Sequence, residues 1–294
     1  MSQSIAAAGA TPATLGQISR RTARSDPKRG QWWRFLLILV VTALVIAPIA
    51  AGLVLSTQPS QSTQGASSFT FANFTYVFEQ TGVIGWLVNS LVVALATVVV
   101  AVAVAAPAGY VLSRVRNRLV SGYSLILFVI QSLPVVTAVI PLFITFSVLG
   151  LTNSLAAVAI IYIGSTMSVA IWMMAAYFDS IPISLEEAAW MDGASVFGSF
   201  RRIVLRNSLP GILSTAIFSF LLAWNDYLIA LIFLQDERVY TLPKGLETFF
   251  QQNAVDWGPV MAVAVVMMVP PVIVFAFLNR YFSVGGIGGS LAGR

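Results

Sequence analysis

The sequence predicts an all-α polytopic membrane protein with six transmembrane helices, and three observations carry that prediction. The chain of 294 residues is 58% hydrophobic and only 9% charged, with a mean hydropathy of +0.87; a soluble globular domain carries roughly 25% charged residues. Six apolar runs each reach the length of about 20 residues that crosses a bilayer at a rise of about 1.5 Å per residue. Lys and Arg crowd into alternate loops, the asymmetry by which membrane proteins fix their orientation.

The first run, Phe35 to Leu55, follows a polar and basic stretch, residues 1–33, that reads as a disordered cytoplasmic tail. It is longer than the roughly 7–15 apolar residues of a signal-peptide core, and no clean small-x-small cleavage site follows, so it reads as an uncleaved first helix. The second run is Trp86 to Leu112, with a bend expected near Pro107. The third, Leu125 to Leu149, holds Pro134 and Pro141. The fourth is Leu155 to Tyr177, the fifth Ile212 to Leu234, and the sixth Val260 to Phe277 with the pair Pro270 and Pro271. Prolines in spanning helices free carbonyls that neighbouring helices or a water-lined cavity must satisfy. The proline-bearing spans therefore read either as edges of a pathway or as packing kinks.

The outer loops, Ser56 to Gly85 and Gln235 to Gly258, are too short for folded external domains. The first ends in Phe69, Phe71, Phe74, Tyr76 and Phe78, rings that are stable at a membrane surface. Of the 16 Lys and Arg residues, all but Arg238 and Lys244 fall on the side of the two termini. That puts both termini in the cytoplasm of a multi-pass cell-membrane protein, with residues 34–294 as its transmembrane domain.

Composition also excludes chemistry. The chain has no Cys and no His, which removes thiolate chemistry, the commonest metal ligand and the commonest general base. No catalytic or metal-binding set is expected, and a membrane enzyme is disfavoured. No G-x-x-x-x-G-K-[ST] phosphate loop occurs. The net charge of +5 reads as loop arginines that set topology and touch lipid headgroups, not as a nucleic-acid surface.

The rest of the chain is organised around one polar stretch, Ile181 to Gly211, within the loop 178–211. Glu186, Glu187, Asp192, Arg201, Arg202 and Arg206 crowd there between two apolar runs, so it lies in water. Ser184 followed by Glu187 fits a capping box that opens a short helix with the small face Leu185, Ala188 and Ala189. Gly193 fits a left-handed helix end, and Ser195 caps a second helix with the stripe Val196, Phe197, Phe200, Ile203 and Val204. Pro210 fits the first turn of the fifth span. Two readings stay open on these residues: an amphipathic hairpin on lipid headgroups, or a docking element for a soluble partner. Asp226, beside Asn225, is the one charge inside a predicted span, beyond the midplane. Such a carboxylate faces a cavity or a partner, either lining a pathway with Trp224 or Tyr227 stacking on a solute, or making an internal hydrogen bond.

At the polar stretch the sequence resembles the membrane subunits of binding-protein-dependent ABC importers, whose signature is E-A-A, three residues, G, nine residues, then I-x-L-P. Here stand Glu187, Ala188, Ala189, Gly193, Ile203 and Leu205 at that spacing, with Arg206 in place of the proline. Further motifs resemble the maltose-type carbohydrate branch. They are Asn89-Ser90, Tyr110 to Arg114, Leu133-Pro134, Ile140 to Phe143, Leu149 to Leu151, Trp224-Asn225-Asp226-Tyr227, and Asn279 to Phe282 followed by glycines. The resemblance implies a type I ABC importer permease fold. It implies a second homologous permease subunit, cytoplasmic ABC ATPase subunits that bind ATP and Mg, an extracytoplasmic solute-binding protein and a sugar substrate. It assigns ATPase coupling to Glu186, Glu187, Ala188, Ala189, Asp192, Gly193, Ala194, Ile203 and Leu205; Trp224, Asn225, Asp226 and Tyr227 stay the candidate substrate-pathway residues, with the internal hydrogen bond as the other reading. A permease for glycerol phosphate or a polyol is the alternative, and an ion-driven secondary transporter a more distant one.

Overall fold

A computed structural model describes residues 31–63, 69–250 and 255–286. The expected tail before Gln31 and the glycines from 287 onward lie outside them. The chain divides into two compact units, residues 1–49 and 50–294. The described part of the first belongs to α1 (Gln31–Ser56), which starts inside the predicted tail and runs through Pro48.

Among its described residues the second unit is built from helices joined by short turns. The short α2 (Ala72–Gln80) leads into α3 (Val83–Arg114), α4 (Arg118–Ser132), α5 (Val135–Val148) and α6 (Leu155–Asp179). Then come α7 (Ser184–Met191), α8 (Val196–Ser199), a π-helical stretch Phe200–Val204, α9 (Leu205–Asn207) and α10 (Leu209–Asn225). The short α11 (Leu228–Phe233) and α12 (Leu242–Leu246) precede α13 (Trp257–Gly286). Four helices are individually long and apolar enough to cross a membrane, and six spans result when each sharply bent pair counts as one.

α3 and α6 pack along their lengths at the centre, and α10 packs against both. The approach is close because α3 presents Gly109: a Cβ there would lie 2.9 Å from the Ala175 nitrogen and 3.0 Å from the Ile171 carbonyl oxygen of α6. Two apolar clusters result. One gathers Trp86, Tyr162, Phe220, Trp224 and Phe233. The other gathers Ala105, Ile171, Met174, Phe178, Phe200 and Val204 beneath the polar stretch.

Three expectations need correction. The third span is not one helix: α4 and α5 meet at 93°. Pro134 lacks an N–H and pushes Leu133 to extended backbone (φ −82°, ψ 121°). Pro107, Pro141 and the pair Pro270 and Pro271, by contrast, sit inside helices that continue through them. The fifth span ends at Asn225, not Leu234, so Asp226 lies in a helix break and not within a helix. Its Oδ1 accepts the Ile229 N–H at 2.9 Å and opens α11, a capping role that aspartate prefers to a helix interior. Finally, the sixth helix does not end at Phe277: α13 continues to Gly286.

Candidate functional site

The polar stretch is a helix pair fastened from behind. α7 follows α6 after a short turn, and Ser184 is its first residue, not its cap. Ile183 is already helical, and its carbonyl accepts from Glu186 and Glu187 at 2.9 and 3.0 Å, so the predicted capping box has no N-cap to act on. The other end forms as expected. Gly193 takes φ +86°, with the Ala194 N–H bonding to the Ala189 carbonyl at 2.9 Å and the Gly193 N–H to that of Trp190 at 3.0 Å. This is a Schellman closure. Ser195 Oγ then accepts the Gly198 N–H at 3.1 Å and caps α8.

Glu186 is the anchor, and it is fully buried. Arg114 Nε, at the end of α3, donates to Glu186 Oε1 at 2.7 Å. The Tyr110 hydroxyl, one turn earlier, donates to Oε2 at 2.5 Å. Arg114 also reaches the Ile181 carbonyl at 3.1 Å. Its Nη1 donates to Ser113 Oγ at 3.1 Å, and Ser113 donates to Asp179 Oδ1 at 2.6 Å. Aromatic packing fixes the second helix to the same post: the Phe200 ring lies 4.6 Å from Tyr110 and 6.2 Å from Phe178, centre to centre. A buried ion pair gives little net stability but costs much when one partner is lost, so its effect is to fix geometry.

The predicted stripe therefore divides. Phe200 and Val204 face inward, Ile203 and Leu205 are half-buried, and Val196 and Phe197 are exposed. On the outer side Glu187, Ala188, Asp192 and Gly193 are exposed, while Ala189 and Ala194 are half-buried. Beside them stand Leu185, Trp190, and Met191 at 89% exposure. Glu186 and Glu187, read alike in the sequence, thus face opposite ways. Arg114, read there as a topology and headgroup residue, is an internal ion-pair partner. Tyr110, Ser113 and Asp179, which the sequence reading did not single out as site residues, complete the anchor; the four-residue spacing of Tyr110 and Arg114, one helical turn, is the signal that could have placed those two on one face.

The second predicted group surrounds the α10–α11 break. Tyr162 of α6 donates to Asp226 Oδ1 at 2.8 Å. Trp224 is 1% exposed, its ring stacked on Phe220 at 5.6 Å and its Nε1 bonded to the Met267 carbonyl at 3.1 Å. It is a wall residue here, and its face is not open to a solute. Asn225 and Asp226 line a cavity of about 820 Å³ with Gln131, Pro134 and Ser165. Both helix breaks, α4–α5 and α10–α11, open on it. Asn225 also lines a second cavity of about 490 Å³ with Tyr227, Glu247 and Phe250. Neither cavity has a Lys or Arg among its lining residues. The described residues hold no cluster of three metal-ligating side chains.

Comparison with known proteins gives consistent matches. Residues 101–284 match the family described as "Binding-protein-dependent transport system inner membrane component". The trehalose transport system permease protein SugB of Mycobacterium tuberculosis is 30% identical over 275 residues, covering 90% of this chain and 99% of that protein. The trehalose/maltose transport system permease protein MalG of Thermococcus litoralis is 32% identical over 213 residues, 71% of this chain and 76% of that protein. Among solved structures, a chain of a bacterial ABC transporter involved in importing the acidic polysaccharide alginate superposes with a TM-score of 0.73. It is 22% identical, and the match covers 88% of this chain and 98% of that chain.

Proposed function

This chain belongs to the binding-protein-dependent inner membrane component family and is a transmembrane permease subunit of an ABC importer, and from that premise we propose how it is driven and what it carries. It pairs with a second permease, receives a sugar from an external binding protein, and docks a cytoplasmic ATPase on the outer face of α7 and α8. The ATPase binds ATP and Mg; this chain supplies no phosphate loop. Both termini lie on the ATPase side, as the loop arginines require.

The observation that carries the coupling reading is the two-sidedness of the helix pair. Behind it, Glu186, Arg114, Tyr110 and Phe200 tie it to α3 and α6. In front, Glu187, Ala188, Trp190, Met191 and Phe197 stand exposed. A push on that face moves two spanning helices together, and α6 carries Tyr162 to the Asp226 break. ATP-driven closure of the ATPase is thereby converted into opening of the cavity between the broken helices. A headgroup-lying hairpin, the other reading of the same residues, gives no reason for so rigid an attachment.

The sugar reading draws on the relatives named for trehalose and maltose and on the cavities. A phosphate-bearing solute would meet Asp226 with no cation lining its cavity, whereas Glu247 by the second cavity is already paired with Lys244; this favours a neutral, hydroxyl-rich cargo over glycerol phosphate. The experiment that tests the coupling replaces Gly193 by a bulky residue such as Val. Space around its Cβ is open, but its φ of +86° is strained for any side chain. Uptake should fall and separate from ATP hydrolysis while the subunit stays in the membrane at normal abundance. Normal uptake in that variant sinks the proposal.

A further inference from the structure

We propose that the turn between α3 and α4 is a binding site for the headgroup of an anionic phospholipid. A groove of about 700 Å³ lies there, lined by Leu112 and Val115 at the end of α3, by Arg116 and Arg118, and by Ser121 and Ser124 of α4. Three arginines share this turn and only Arg114 is spent internally. Arg116 and Arg118 are exposed and have no acidic partner among the described residues.

The backbone sets the pair up. Val115 (φ −98°, ψ 118°) and Asn117 (φ −143°, ψ 170°) are extended, the chain bends at Asn117, and Arg116 and Arg118, on either side of that bend, line the same groove. Asn117 Oδ1 accepts the Val120 N–H at 2.8 Å and closes the first turn of α4, which fixes where Arg118 leaves the helix. Two guanidinium forks on one side match the oxygens of a phosphodiester, which arginine binds with paired donors.

The surroundings favour a lipid over free phosphate. α3 and α4 both belong to spans, so their turn lies at a membrane boundary. Along α4, Leu119 (84% exposed), Leu125 and Ile126 offer apolar surface, and Tyr123 adds a ring with a polar tip. Acyl chains can follow that surface while the phosphate stays in the groove. Basic pockets between spanning helices at the cytoplasmic face bind acidic headgroups in this manner. The site is independent of the identity of the cargo.

The test uses the full-length chain in detergent micelles. Native mass spectrometry follows its titration with phosphatidylglycerol and, separately, with phosphatidylcholine of the same acyl chains. Phosphatidylglycerol should bind more tightly. In Arg116→Gln/Arg118→Gln its affinity should fall on the order of thirtyfold, with phosphatidylcholine unchanged. Arg201→Gln/Arg202→Gln, which removes the same charge from another exposed pair, should keep wild-type lipid binding. Matched helical circular dichroism shows that both variants are folded. Equal affinity for the two lipids, or equal loss in both variants, overturns the proposal. Displacement of the lipid by a tenfold excess of inorganic phosphate would make this a free-anion site and overturns it too.

Discussion

Arg114→Met isolates the anchor of the coupling element. The substitution keeps an apolar stem of similar length but removes the guanidinium, leaving the fully buried Glu186 carboxylate with only the Tyr110 hydroxyl. Removing one partner of a buried ion pair costs about 3–5 kcal/mol. Glu186 is 0% exposed, so its orphaned charge carries the main part of that penalty, with the lost bonds from Arg114 to the Ile181 carbonyl and Ser113 adding to it. Adding Glu186→Leu removes the orphaned charge. The double variant should recover about 2 kcal/mol, within the range of coupling energies of contacting residues. Unfolding midpoints in mixed SDS micelles give these differences, and uptake by membranes gives function. Uptake should stay low even where stability returns, because α7 has lost its tie to α3. A loss under about 1 kcal/mol in Arg114→Met, or simple additivity in the double variant, would refute the anchoring argument.

Three further substitutions, at two positions, probe the membrane region. Asp226→Asn keeps an oxygen that can accept from Tyr162 and Ile229, so folding should be nearly unchanged. Asp226→Ala removes both bonds and should cost about 2–3 kcal/mol, a lost cap plus an unpartnered buried hydroxyl. The same micelle unfolding measurement separates the two, and transport by Asp226→Asn reports on the charge alone. Gly109→Val places carbon against the α6 backbone. It should destabilise by about 1–3 kcal/mol and lower uptake by forcing α3 and α6 apart; a neutral result would mean that their approach is looser than described.

Much of this architecture is legible from residue order because the bilayer simplifies the problem. Apolar length alone locates α1, α3, α6 and α13, and the left-handed Gly193 and the Ser195 cap follow from local chemistry. The breaks are harder. Pro134 interrupts a span while Pro107 and Pro141 do not, since neighbouring packing decides whether a helix tolerates a missing donor. Asp226 lies in an apolar run, and its turn to capping depends on Tyr162, 64 positions away. Glu186 and Glu187 are adjacent and chemically alike. Which of them turns inward is set by Arg114, 72 positions earlier, a long-range pairing that helical periodicity does not contain.

The central claim is that the exposed face of α7 and α8 receives the ATPase. The chain has no cysteine, so Met191→Cys, on that face at 89% exposure, is a unique attachment point. A thiol-directed photo-crosslinker placed there in membranes containing the assembled transporter should join this subunit to the ATPase, with a yield that changes when ATP is added. The same crosslinker on Leu119→Cys, exposed at the α3–α4 turn, should give no more than background ATPase product. Crosslinks from Met191→Cys to lipid alone, or equal yields from both positions, would contradict the account.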